Sequence, residues 1–238
     1  MGMDGSGGGD QRIVVVLGMH RSGTSCLTGI LESAGVDLGE VSRRNPFNPR
    51  GNLESKRVID LHDALLRFNG GSWDAPPAGV VWPEALKKER DVIIHEKRGS
   101  RCWGLKDPRM LLTLEGWLEV LPAKNTSLVA TFRHPHSVAR SLHARNGIPL
   151  EKALSLWKIY NEKLLARHAA SGFPVICFDY PAGDYAKQVR KLLDLWALPG
   201  SGRALDFYDN ELRHHGGQNA ALPGDIRALY DRLSVIAL

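Results

Sequence analysis

Two glycines, Gly18 and Gly23, bracket Met19-His20-Arg21-Ser22, and Thr24 and Ser25 follow at once. Residues of these types at this spacing suit the holding of an anion. Glycine lets backbone approach a ligand closely, successive N–H groups converge on one point, and the hydroxyls of Thr24 and Ser25 add donors. His20 and Arg21 stand inside the loop, the second as a permanent cation. The preceding run, Arg12-Ile13-Val14-Val15-Val16-Leu17, is apolar after its first residue and reads as a strand buried on both faces. Cys26, Leu27, Ile30, Leu31 and Ala34 then recur at helical spacing. Strand, glycine loop and helix start put the positive end of a helix dipole behind whatever the loop holds.

The spacing is close to that of triphosphate-binding loops, Gly-x-x-x-x-Gly-Lys-Ser/Thr. Here Thr24 occupies the lysine position, and the cation has moved into the loop as Arg21. Such a loop still favours a phosphate but is poorly equipped for a magnesium triphosphate. A second anion motif follows at Phe132-Arg133-His134-Pro135, with Ser141 eight residues after Arg133. Arg133 would leave a strand end, and a helix begun near Pro135 can turn Ser141 back towards it. The arginine offers a planar fork to two phosphate oxygens and the serine a further hydroxyl.

Together, the two motifs resemble the donor-binding segments of sulfotransferases that use 3′-phosphoadenosine 5′-phosphosulfate (PAPS). The resemblance implies that His20, Arg21, Ser22, Gly23, Thr24 and Ser25 hold the 5′-phosphosulfate. It implies also that Arg133 and Ser141 hold the 3′-phosphate. His134 stands where that turn often carries Asn or Asp. The late segment Leu212-Arg213-His214-His215-Gly216-Gly217 stands in for a glycine-bearing flap, with Arg213 as a further cation for the nucleotide. The implied reaction is in-line, metal-independent transfer of a sulfuryl group from PAPS to a hydroxyl or amine, leaving adenosine 3′,5′-bisphosphate (PAP). A P-loop kinase or NTPase with a divergent loop is the alternative.

Arg21 is expected to stabilise charge on the leaving phosphate. Lys106, in Leu105-Lys106-Asp107-Pro108-Arg109, can reach the sulfuryl oxygens, while Asp107 is either a base or the group that orients Lys106. The stretch Asn48-Pro49-Arg50-Gly51-Asn52-Leu53-Glu54 resembles an Asn-Pro-x-Gly-x-x-Glu segment of bacterial sulfotransferases, which makes Glu54 a candidate general base. His62, eight residues on, is another. The choice among Glu54, Asp107 and His62 stays open.

The elements that position these residues are legible in outline. Strands are expected at 12–17, 101–105, 126–132 and 174–178. Helices are expected at 53–68 with Asn52 as N-cap, and at 84–98, 110–120, 136–144, 150–170, 184–195 and 225–233. Strands alternating with helices predict an α/β, three-layer sandwich with a mostly parallel central sheet, and ligands beyond the carboxyl ends of the strands. Residues 1–11 are Gly/Ser/Asp-rich and read as a disordered tail, leaving a single domain over 12–238. The segment Asn69 to Pro83, with Trp73 and Trp82, reads as an irregular surface stretch able to stack on an acceptor ring.

Across 238 residues, 43% are apolar and 24% charged, with a net charge of +5. The basic residues are scattered, which argues against nucleic acid and anionic membranes and fits a small polyanion. No apolar run is long enough to span a membrane and none reads as a secretion signal. Three cysteines, Cys26, Cys102 and Cys177, show no metal spacing and fit a reducing cytoplasm. No metal is expected. The acceptor is a small molecule or carbohydrate, and the oligomeric state is open.

Overall fold

Arg12–Leu17 becomes the central strand, β1, because five of its six residues bury apolar, mostly β-branched side chains. The computed structural model describes residues 11–44, 48, 50–97, 99–198 and 221–238. In it β1 has a parallel partner on each side. β2 (Cys102–Lys106) pairs from Arg12↔Cys102 to Val16↔Lys106, and β3 (Thr126–Phe132) from Ile13↔Thr126 to Leu17↔Ala130. β4 (Val175–Cys177) pairs with β3 through Ala130↔Val175 and Phe132↔Cys177. The strand order is β2-β1-β3-β4, with every pairing parallel. The connections leave β1 in opposite directions, so the loop after it opens at a topological switch point.

Alternation along β1 sends its side chains into two cores. Val14 and Val16 pack with Leu27, Ile30 and Leu31 of α1 (Thr24–Ser33) and with Tyr185, Val189 and Leu192 of α7 (Ala182–Trp196). Ile13, Val15 and Leu17 join a larger core on the opposite face. That core draws on α2 (Lys56–Phe68), α3 (Glu84–Glu96), α4 (Met110–Leu118), α5 (Pro135–Asn146), α6 (Leu150–Ser171) and α8 (Gly224–Val235). The result is the expected α/β sandwich of three layers, with helices covering both faces of the sheet.

Two local expectations are corrected. The helix expected from Leu53 starts at Lys56, with Ser55 in the N-cap position in place of Asn52. The cause is Leu53, a buried residue in left-handed backbone at φ 56°. That turn frees the Asn52 carbonyl and aims Glu54 away from the helix. Trp82 is not a surface residue. It is 8% exposed and packs edge-to-face on Trp117, ring centroids 6.1 Å apart, beneath the Arg90 guanidinium. The expected N-terminal tail over 1–11, apart from Gln11, lies outside the described residues, as does Arg213. No helix among the described residues is long and apolar enough to cross a membrane.

Candidate functional site

The loop after β1 ends at Gly23, which sits in left-handed backbone at φ 87° and immediately precedes α1. Among the described residues no side chain caps α1, so the loop concavity itself faces the first-turn N–H groups. A methyl group at Gly23 would lie 2.3–2.4 Å from ring carbons of Phe178. Left-handed strain and overpacking then act together, and Gly23→Ala should cost about 2–3 kcal/mol. A melting-temperature drop of roughly 4–12 °C against the parent checks this.

Inside the loop, Ser22 is fully buried. Its N–H donates to the Met19 carbonyl (3.3 Å), and its own carbonyl accepts from Thr131 Oγ1 (3.0 Å). Its Oγ has no hydrogen-bond partner among the described residues, and neither does the buried Nε2 of His20. The His20 ring leans on Trp73, centroids 4.5 Å apart, with Tyr160 edge-on at 6.4 Å. Tyr160 donates its hydroxyl to the Trp73 carbonyl at 2.8 Å, which ties the segment carrying Trp73 to α6. Burial, then the Arg109 charge, push the His20 imidazole down to about 3, so the ring is uncharged at neutral pH.

The second anion motif lies beside the first. Pro135 opens α5, and Ser141 sits on it one to two turns along. Arg21 Nε donates to Ser141 Oγ at 2.7 Å, so residues far apart in sequence meet in one cradle. Arg133, at the end of β3, pairs through Nε with Asp179 Oδ1 at 3.1 Å. The other Asp179 oxygen accepts the His134 N–H at 2.5 Å. The Arg133 guanidinium lies over the Phe178 ring, 5.5 Å from its centroid. Burial, then the charges of Arg145 and Arg133, push the Arg21 guanidinium down to about 10.

Lys106, the last residue of β2, closes the other side of the loop. Its Nζ reaches Glu54 Oε1 at 2.7 Å, Ser25 Oγ at 3.3 Å and the Asn52 carbonyl. Ser25 Oγ donates to that same carbonyl at 3.0 Å. The Lys106 side chain is 1% exposed and that of Glu54 10% exposed. Glu54, Lys106 and Ser25 are therefore one group, held at the start of α1 by the turn at Leu53.

Asp107 and His62 are bonded to each other and to Arg109 and Trp117. Asp107 is wholly buried and accepts from His62 Nδ1 (3.1 Å), the Arg109 N–H (2.8 Å) and Arg109 Nη1 (3.0 Å). Trp117 Nε1–H donates to His62 Nε2 at 2.9 Å, so Nδ1 carries the proton that bonds Asp107. Burial alone would raise the Asp107 carboxyl, but the His62 hydrogen bond and the Arg109 charge hold it well below the usual carboxylate range. Arg109 also pairs with Asp63 at 2.6 Å. Both nitrogens of His62 are hydrogen-bonded, and the Asp107 carboxylate is fully buried.

Three participants escaped the reading of the sequence. Asp179 lies two residues beyond β4, and Arg109 ends a motif read for Lys106 and Asp107. Arg145 stands four residues after Ser141, a helical spacing that puts both on one face. Among the described residues no three His, Cys, Asp or Glu side chains gather as metal ligands do.

No family model matches this chain, and no curated protein matches it. Solved structures do. The sulfotransferase domain of the Synechococcus PCC 7002 olefin synthase superposes with a TM-score of 0.62 at 16% identity, covering 94% of each chain. The sulfotransferase domain from the curacin biosynthetic pathway gives 0.58 at 15% identity, over 94% of this chain and 98% of that one. The sheet order, the layers and these superpositions together give the chain a sulfotransferase fold with a P-loop-like centre.

Proposed function

We propose that this protein is a sulfotransferase that moves a sulfuryl group from PAPS to a hydroxyl or amine of a small-molecule or carbohydrate acceptor. The observation that carries the reading is the Arg21–Ser141 hydrogen bond, which joins the two anion motifs into one cradle. The cradle suits a nucleotide bearing two separate anionic groups. Ser22 Oγ and His20 Nε2 are buried there without partners among the described residues, and the crowding of Arg21 by two further arginines is relieved by a bound anion.

PAPS supplies the activated sulfuryl group and is left as PAP. Arg21 and the backbone N–H groups of Ser22 to Ser25 stabilise charge gathering on the leaving phosphate oxygen. Thr24 and Ser25 add hydroxyl donors. Arg133 and Ser141 hold the 3′-phosphate. Lys106 faces the transferring group, and Glu54, fixed by Lys106 through one oxygen, takes the acceptor proton on the other. Asp107 acts by orienting Arg109, and Trp73 offers the acceptor a flat wall over His20. The three cysteines are free thiols, which suits the cytoplasm.

The test is thermal stability with PAP, with AMP and with ATP·Mg²⁺. At about 100 times its dissociation constant a ligand stabilises by about 2.7 kcal/mol. PAP should stabilise more than AMP at equal concentration, and Arg133→Ala should reduce the PAP shift to that of AMP, each variant measured against its own unliganded melting point. Stabilisation by ATP·Mg²⁺ alone would make the loop a divergent triphosphate site.

A further inference from the structure

Arg145 lies in the last turn of α5, one helical turn beyond Ser141 and on the same face. Ser141 is bonded to Arg21 at 2.7 Å, and the Arg145 charge acts on Arg21 and His20, which places Arg145 on the loop side of α5. We propose that Arg145 is a further donor-binding residue, a second guanidinium for the 5′-side anion held by the Gly18–Ser25 loop. This rests on the reading of the cradle as a PAPS site.

Two alternatives explain less. A basic residue in a last turn favours the helix dipole. Here the end of α5 is already closed by the Gly147 N–H on the His143 carbonyl (2.9 Å) and by His143 Nδ1 against the Ile148 carbonyl (3.0 Å). A solvated surface arginine would lie apart from other cations. Arg145 instead is half-buried, and its charge acts on both Arg21 and His20. Its charge disfavours the charged form of Arg21, a cost that an anion between them reverses. His20 Nε2 and Ser22 Oγ, both buried and without protein partners among the described residues, lie in the same loop. They supply uncharged donors to the anion that Arg21 and Arg145 would clamp.

The division of labour between the arginines gives the test. Binding of PAP, 5′-AMP and 3′-AMP is measured by calorimetry for the parent, Arg145→Ala, Arg145→Lys and Arg133→Ala. In Arg145→Ala the dissociation constants for PAP and 5′-AMP should rise about 10- to 100-fold, as for loss of a charged hydrogen bond. That for 3′-AMP should not change, and Arg145→Lys should recover part of the loss. Arg133→Ala should show the opposite pattern, losing 3′-AMP. Unchanged 5′-AMP binding in Arg145→Ala, or an equal loss of 3′-AMP, overturns the assignment. If the parent binds none of the three nucleotides, the sulfotransferase reading fails instead. Inorganic pyrophosphate then tests Arg145 directly: loss of its binding in Arg145→Ala upholds the role, and retention overturns it.

Discussion

Arg21→Ala should lower turnover by about 10²–10³-fold while raising the dissociation constant for PAP by much less. Arg21 is the loop cation, bonded through Nε to Ser141, with its terminal nitrogens left for the cradle. On the proposed reading the ground-state nucleotide keeps the loop N–H groups, Arg133 and Ser141. Charge that develops on the leaving oxygen loses the guanidinium that meets it. The difference between the two effects is what marks a residue acting in the transition state. The rate of PAP release from PAPS, with water as the acceptor, gives the turnover arm without knowledge of the natural acceptor. Calorimetric titration with PAP gives the other. Equal losses in both would make Arg21 a simple binding residue.

Asp107→Ala should remove about 3–5 kcal/mol of stability, the scale for breaking a buried ion pair from one side. The substitution leaves the His62 Nδ1–H without its acceptor and strips Arg109 of one of its two carboxylates. The melting temperature should fall by roughly 6–20 °C. The pH dependence has a definite sign. A carboxyl held below its ordinary range contributes stability above about pH 4, and loses it as the pH falls below that value towards its folded pKa. Urea midpoints between pH 7 and pH 3 should therefore fall less steeply for Asp107→Asn than for the parent. Identical slopes would mean that the carboxylate is not tied as the geometry indicates.

Much of the frame could be read directly. The strand Thr126–Phe132 was legible end to end, because it is strongly apolar and Arg133-His134-Pro135 stops it. The loop announced itself through two glycines after a buried strand. Other features were invisible for physical reasons. Leu53 in left-handed backbone contradicts the preference of a branched aliphatic residue, and the burial of its side chain with the backbone bonds of Leu53 and Glu54 to Ser42 holds it there. Trp82 looked like a platform for a ligand and proved to be core, since nothing local distinguishes a buried indole from an exposed one. The pairing of Glu54 with Lys106, and of Asp107 with His62, depends on which way each side chain leaves its strand end. Neighbours in sequence, Lys106 and Asp107 point to different partners, so one motif splits between the site and its support.

The sheet also sets a timetable for synthesis. β1 has no hairpin partner; Arg12 pairs with Cys102, and Ile13 with Thr126. At about 5–20 residues per second, roughly 5 to 20 s separate the translation of β1 from that of both its neighbours. During that interval Ile13-Val14-Val15-Val16-Leu17 is a β-prone apolar segment with both edges open, the kind of stretch that seeds aggregation. The loop that depends on β1 is made before either neighbouring strand and can take shape only after β3 has docked. Chaperone supply during expression should therefore govern the yield of active protein more strongly than its final stability does.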